Sequence, residues 1–129
     1  MTEGAIAALA VLVWLQIKHL FCDFFFQTPR QIEMKGVYGH PAGLSHAAQH
    51  AVASIPVFLL MPVSAVVAAA IVLAEFVTHY HVDWIKAVIG DRKGWTVRDK
   101  EYWRGLGSDQ FLHQLTYLAI CALLIWLSG

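Results

Sequence analysis

From residue 51 to residue 74 the chain carries no charged side chain, and residues 4–17 form a second apolar run after Glu3. A bilayer core needs about 20 mostly apolar residues per helix, because every backbone N–H and C=O must be satisfied within the protein. Of the 129 residues, 58% are hydrophobic and only 14% are charged. That composition excludes disordered and nucleic-acid-binding classes, and a soluble domain carries roughly a quarter charged residues. The chain therefore reads as one all-α integral membrane domain over residues 1–129. Thr2 and Glu3 stand where a basic n-region would precede a signal peptide, so the first apolar run is expected to be a retained helix. Cys22 and Cys121 give neither a disulfide framework nor a metal knuckle.

Four spans are predicted, at residues 4–27, 43–61, 62–88 and 108–128, forming an up-down-up-down four-helix transmembrane bundle. Pro62 divides the long charge-free run, since proline fits the first turn of a new helix and breaks the interior of an old one. Pro56 would kink the second span. Residues 90–107 interleave Trp95, Tyr102 and Trp103 with Arg92, Lys93, Arg98, Lys100 and Arg104, a pattern that predicts a short interfacial helix between spans three and four. The first and third loops hold nearly all the lysines and arginines. By the positive-inside rule both face the cytoplasm, and both termini lie outside, in the periplasm if the membrane is a bacterial inner membrane.

Ionisable residues within membrane helices are costly and mark functional sites by default. Here they recur in pairs: His19 and Asp23, His46 and His50, His79 and Asp83, Asp109 and His113. Every pair is spaced i,i+4, which places both side chains on one helix face, one turn apart. The pairs lie at the C-terminal ends of spans one and three and at the N-terminal ends of spans two and four. In an up-down-up-down bundle these four ends meet at one level. One His–Asp pair is ordinarily an interhelical hydrogen bond, but structural glue needs neither the repeated spacing nor eight such groups.

Helical bundles build di-metal centres from inward-facing carboxylates and histidines, so all eight residues are expected to be ligands of two divalent ions. Mixed nitrogen and oxygen ligation suits zinc first, then manganese or iron. Glu75, one turn before His79, is the candidate general base or bridging ligand. Lys86, one turn beyond Asp83, is the candidate clamp for an anionic substrate, although anchoring at the interface explains it equally well. Gln27, Gln49, Gln110 and Gln114 are expected to orient the imidazoles. Lys18 is expected to snorkel to the interface, His81 to be interfacial, His40 to lie in a loop and Cys22 to be a small buried hydrophobe.

The runs HLFCDFFFQT at 19–28, LSHAAQH at 44–50, HYHVDWIK at 79–86 and DQFLHQ at 109–114 resemble the bacterial and phage membrane proteins of domain-of-unknown-function family 3307. The resemblance covers nearly the whole chain and implies a small multi-span membrane protein without naming an activity. A more distant similarity is to membrane-bound metal-dependent hydrolases. Their Thr-His-Ser signature is missing, the nearest sequence being Leu44–Ser45–His46, and that label is an analogy.

The expected function is a membrane-embedded metal-dependent hydrolase, its site near the cytoplasmic face, acting on a phosphate-bearing or lipid substrate. The expected partners are the bilayer and that small-molecule or lipid substrate, with no nucleic acid, and homo-oligomerisation is left open. The main alternative is a divalent-cation or proton transporter, against which the apolar outer half counts. Haem ligation and a purely structural metal are the remaining readings.

Overall fold

The computed structural model describes residues 2–128, and its elements are all helical. Helix α1 spans Glu3–Phe24, α2 Pro29–Met34, α3 Pro41–Ala53, α4 Val57–Leu60, α5 Ala65–Lys93 and α6 Lys100–Ser128. Of these α1, α5 and α6 are long and apolar enough to cross a membrane. At 1.5 Å per residue, the 22 residues of α1 extend about 33 Å, enough for a hydrocarbon core.

Four of the helix starts have a side-chain cap, at α1, α2, α3 and α5. The Thr2 hydroxyl accepts the Ala5 N–H ahead of α1, and Thr28 forms a capping box with Gln31 ahead of α2, with Pro29 in the first turn. His40 caps α3 through its ring, accepting the Ala42 N–H, and Pro41 follows it. The end of α5 is set by Gly94, whose φ of 65° is the left-handed conformation that closes a helix C-terminus.

Three expectations about boundaries are corrected. The second span, expected at residues 43–61, is not one helix: α3 stops at Ala53 and α4 is a separate single turn. Pro56 has no N–H to give to the carbonyl four residues earlier, and its ring crowds that carbonyl, so the chain passes through tighter turns, with Ile55 N–H on Val52 O at 3.1 Å and Val57 N–H on Ser54 O at 3.0 Å. The third span starts at Ala65 and not at Pro62, because the Ser64 hydroxyl accepts the Val67 N–H and provides a better cap, leaving Pro62 in the link before it. There is also no separate interfacial helix. The segment 90–107 is divided between the last turn of α5, a short loop, and the first turns of α6, which runs unbroken through Gly105 and Gly107. Glycine costs a helix about 1 kcal/mol but keeps its N–H.

Helix α1 packs on α3 and α6, α5 packs on α3 and α6, and α4 continues the α3 wall against α1. The result is a closed ring of four walls. Its exterior is apolar, with Leu59, Val66, Leu73 and Trp126 among the most exposed side chains, while its interior holds most of the ionisable pairs. This polarity suits a lipid surround and is the reverse of a water-soluble fold. One half of the interior is an apolar cluster built on Val11, Leu15, Val57, Ile71 and Leu124, floored by Tyr117. The other half is the candidate site.

Candidate metal centre

Every i,i+4 pair points inward. His46, His50, His79, Asp83, Asp109, His113 and His19 are all buried, and the Asp23 side chain is 9% exposed. They meet at one level, as expected, but that level is late only in α1; in α3, α5 and α6 it falls near the middle of the helix, because α5 and α6 run on past the expected ends of their spans and α3 stops short of its own.

Two carboxylates organise the cluster. Asp23 Oδ1 lies 2.9 Å from His50 Nε2 and 3.1 Å from His46 Nε2, while its Oδ2 lies 3.3 Å from His19 Nε2. Asp83 Oδ1 lies 3.2 Å from His113 Nε2, and its Oδ2 lies 3.3 Å from His46 Nε2 and 3.4 Å from His79 Nε2. Asp109 Oδ1 is 3.3 Å from His113 Nε2. The imidazoles of His50, His79 and His113 stack in a column, with ring centroids 3.8 and 4.0 Å apart.

Two groups have the spacing to hold a metal ion: Asp23, His46, His50 and His79, and then His79, Asp83 and His113, each with one ligand atom per residue within 4.8 Å of the others. His79 belongs to both. Among the described residues its buried Nε2 has no hydrogen bond beyond the 3.4 Å contact with Asp83 Oδ2, Asp109 Oδ1 has none beyond the 3.3 Å contact with His113 Nε2, and His50 Nδ1 and Glu75 Oε2 have none. Buried polar atoms are nearly always paired, so three under-satisfied atoms in one cluster of nitrogen and oxygen donors fit a cation that would share them, while Glu75 Oε2 lies below it.

Six of the eight expected ligands therefore fall in these groups, and two stand beside them. His19 has both ring nitrogens occupied, Nδ1 with the Tyr117 hydroxyl and Nε2 with Gln110 Oε1, each at 2.8 Å. It borders Asp23 and is held by protein groups. Asp109 supports His113 from the next turn.

The remaining expectations divide. Gln110 reaches His19 and also donates to Asp23 Oδ2 at 3.3 Å. Gln27 lies against His46; with its oxygen turned to the donors it accepts from His46 Nε2 at 3.0 Å and from Lys35 Nζ at 2.8 Å. Gln49 instead faces Gln31 at 3.0 Å, and Gln114 is exposed. Cys22 is buried outside both groups. His81 is half-buried, bonded to Tyr38 and to the Val77 carbonyl.

Three residues at the site were not anticipated. Lys18 does not snorkel: it is buried, ion-paired with Glu75, and donates to the His50 carbonyl at 3.1 Å. The expected base Glu75 is thus tied to an ammonium, below the level of the two groups. Lys35 places its Nζ 2.8 Å from Asp83 Oδ2, the position expected for Lys86, which makes no ion pair among the described residues. Tyr117 lies beneath His19. A signal for Tyr117 was present, since it continues the Asp109–His113 stripe by one more turn. Lys35 lies in a loop and had none.

The comparisons with known proteins agree with the resemblance in the motifs. A family model described as a protein of unknown function (DUF3307) matches residues 11–129. No curated protein and no solved structure matches the chain.

Proposed function

The chain belongs to the DUF3307 family, and on the geometry of its buried cluster we propose that it is a membrane-embedded hydrolase with a two-metal site, acting on a phosphate-bearing or lipid substrate. The observation that carries this reading is His79, a buried imidazole that belongs to two adjacent ligand groups, its Nε2 making no hydrogen bond among the described residues beyond a 3.4 Å contact with Asp83 Oδ2. Two divalent ions, zinc most naturally, would supply an activated water and stabilise charge developing on a phosphoryl or carbonyl oxygen.

The chain's own residues do the rest. Asp23, His46 and His50 would face the first ion and Asp83 and His113 the second, with the His79 imidazole within reach of either. His19 and Gln110 fix Asp23, and Asp109 fixes His113, so that the donors are preorganised. Asp23, Gln27, Gln110 and Lys35 form the less buried edge, the side from which a substrate would enter. In this reading α3 and α4 together make the fourth crossing of an up-down-up-down bundle. The basic loops and the mouth face the cytoplasm of a bacterial cell, and both termini face the periplasm.

Transport has less support, because the polar column ends at Lys18, Glu75 and Ser54, and beyond it Val11, Leu15, Val57, Ile71 and Leu124 close the interior.

The test is elemental analysis of untagged, detergent-purified protein beside its His79→Ala variant. About two equivalents of Zn, Mn or Fe in the wild type, both lost in the variant, are expected. A wild type without metal after reconstitution overturns the reading. A variant that keeps the wild-type complement overturns the shared-ligand geometry.

A further inference from the structure

Among the described residues Lys35 is the one lysine whose ammonium enters the cluster from its open edge, 2.8 Å from Asp83 Oδ2. It sits at the C-cap of α2, and the segment carrying it is fixed on both sides. Before it, the Thr28 capping box closes α2, and Gln31 bonds Ser45 and Gln49. After it, Tyr38 packs on Tyr80 and Trp84, and the Gly39 N–H donates to the Tyr80 hydroxyl at 2.6 Å. Gly36 lies so close to α5 that an added Cβ would come within 2.8 Å of Asp91 Oδ2. The lysine is thus delivered to a fixed place.

A metal ion on Asp83 and the Lys35 ammonium compete for the same carboxylate oxygen and repel each other, strongly so away from water. With ions bound through neutral imidazoles, Asp23, Asp83 and Asp109 bring three negative charges, against four positive charges from two divalent ions and one from Lys35. The loaded centre is two negative charges short, in a setting where uncompensated charge is expensive. Building on the hydrolase reading above, we propose that Lys35 and the two-metal centre together form a binding site for a phosphate dianion, with Lys35 holding a non-bridging oxygen of a phosphate monoester group. The site would accept the group on a lipid headgroup or on a water-soluble phosphate. A terminal phosphate with two charges completes the balance, and a diester with one charge does not.

The test is binding of labelled inorganic phosphate to metal-loaded protein in detergent, with metal content measured on the same samples. The wild type should bind phosphate, Lys35→Gln should bind it about tenfold more weakly or worse at unchanged metal content, and Lys35→Arg should stay near wild type. Competition by dioctanoyl phosphatidate, against dioctanoylglycerol as control, points to a lipid headgroup, and competition by glycerol 3-phosphate alone points to a soluble ester. A Lys35→Gln protein that binds phosphate like the wild type overturns the proposal. So does one that loses its metal, which makes Lys35 a strut for Asp83. Metal-loaded wild type that ignores phosphate overturns this inference and leaves the two-metal reading standing, whereas a wild type that takes up no metal removes both.

Discussion

Toward one end of the helices, Val11 and Leu15 of α1, Ile71 of α5 and Leu124 of α6 meet Val57 of α4 in a core of hydrocarbon. Toward the other end, α1, α5 and α6 bring His19, Asp23, His79, Asp83, Asp109 and His113 to face His46 and His50 of α3. In water the first end would dominate stability. In lipid it does not, since hydrocarbon outside the bundle is as good a solvent for leucine as the inside, and only packing distinguishes them. The polar end is where the four walls acquire a unique register, because Asp23 and Asp83 each draw donors from several helices. Asp83 alone gathers groups from α3, α5, α6 and the segment after α2. The arrangement that gathers these histidines and carboxylates also specifies the fold.

The boundary between the two ends is the Lys18–Glu75 pair, and breaking it should have the largest effect on stability. Lys18→Met leaves Glu75 as a buried carboxylate without its ammonium, and frees the His50 carbonyl of one donor. The expected loss is about 3–5 kcal/mol in unfolding from mixed micelles. The double variant Lys18→Met/Glu75→Leu should recover most of that loss, since apolar replacements of comparable size remove both charges at once. If the single and double variants are equally unstable, the pair is not what holds the boundary.

The two ends also differed in how far they could be read from sequence. The i,i+4 pairs placed seven of the eight groups fully inside and the eighth at the edge, because helical periodicity alone decides which residues share a face. Pro56 marked a disturbance in the second span, yet whether it kinks or ends the helix depends on which groups donate to the freed carbonyls, and those donors, Trp14, Lys18 and Ser54, come partly from another helix. Lysine is harder still. A long flexible side chain near a helix end reaches outward to headgroups or inward to a carboxylate according to what faces it, and nothing in the order of residues said that Glu75 faces Lys18 or that Asp83 faces Lys35. The pattern of paired histidines and aspartates was local; the counter-charges were tertiary.

Within the apolar end, Leu124→Ala should cost less than the same change in a soluble core. Leu124 is fully buried, but in lipid the transfer contribution largely cancels and the lost packing remains, so about 1–2 kcal/mol is expected. Metal content should not change. A loss of bound metal in this variant would mean that the two ends are one cooperative unit, and the distinction drawn between them would fail.

The smallest expected effect tests the joint at which the fourth wall is broken. Where α3 ends at Ala53, its last carbonyls face a region without water, and each needs a donor. Ser54 Oγ and Lys18 Nζ donate to the His50 carbonyl, and the indole of Trp14 donates to Ala53 O at 2.8 Å. Trp14 is partly exposed on the outside of α1, so its N–H is spent on the protein although lipid surrounds the ring. Trp14→Phe keeps most of the apolar contact and removes only that donor. About 1 kcal/mol of stability should be lost, the net worth of one hydrogen bond, with metal binding intact because the joint lies below the cluster. Amide hydrogen exchange should quicken selectively around residues 53–58. Uniform quickening along α3, including the turns that carry His46 and His50, would show instead that the break transmits strain to the polar cluster and that α3 and α4 behave as one helix.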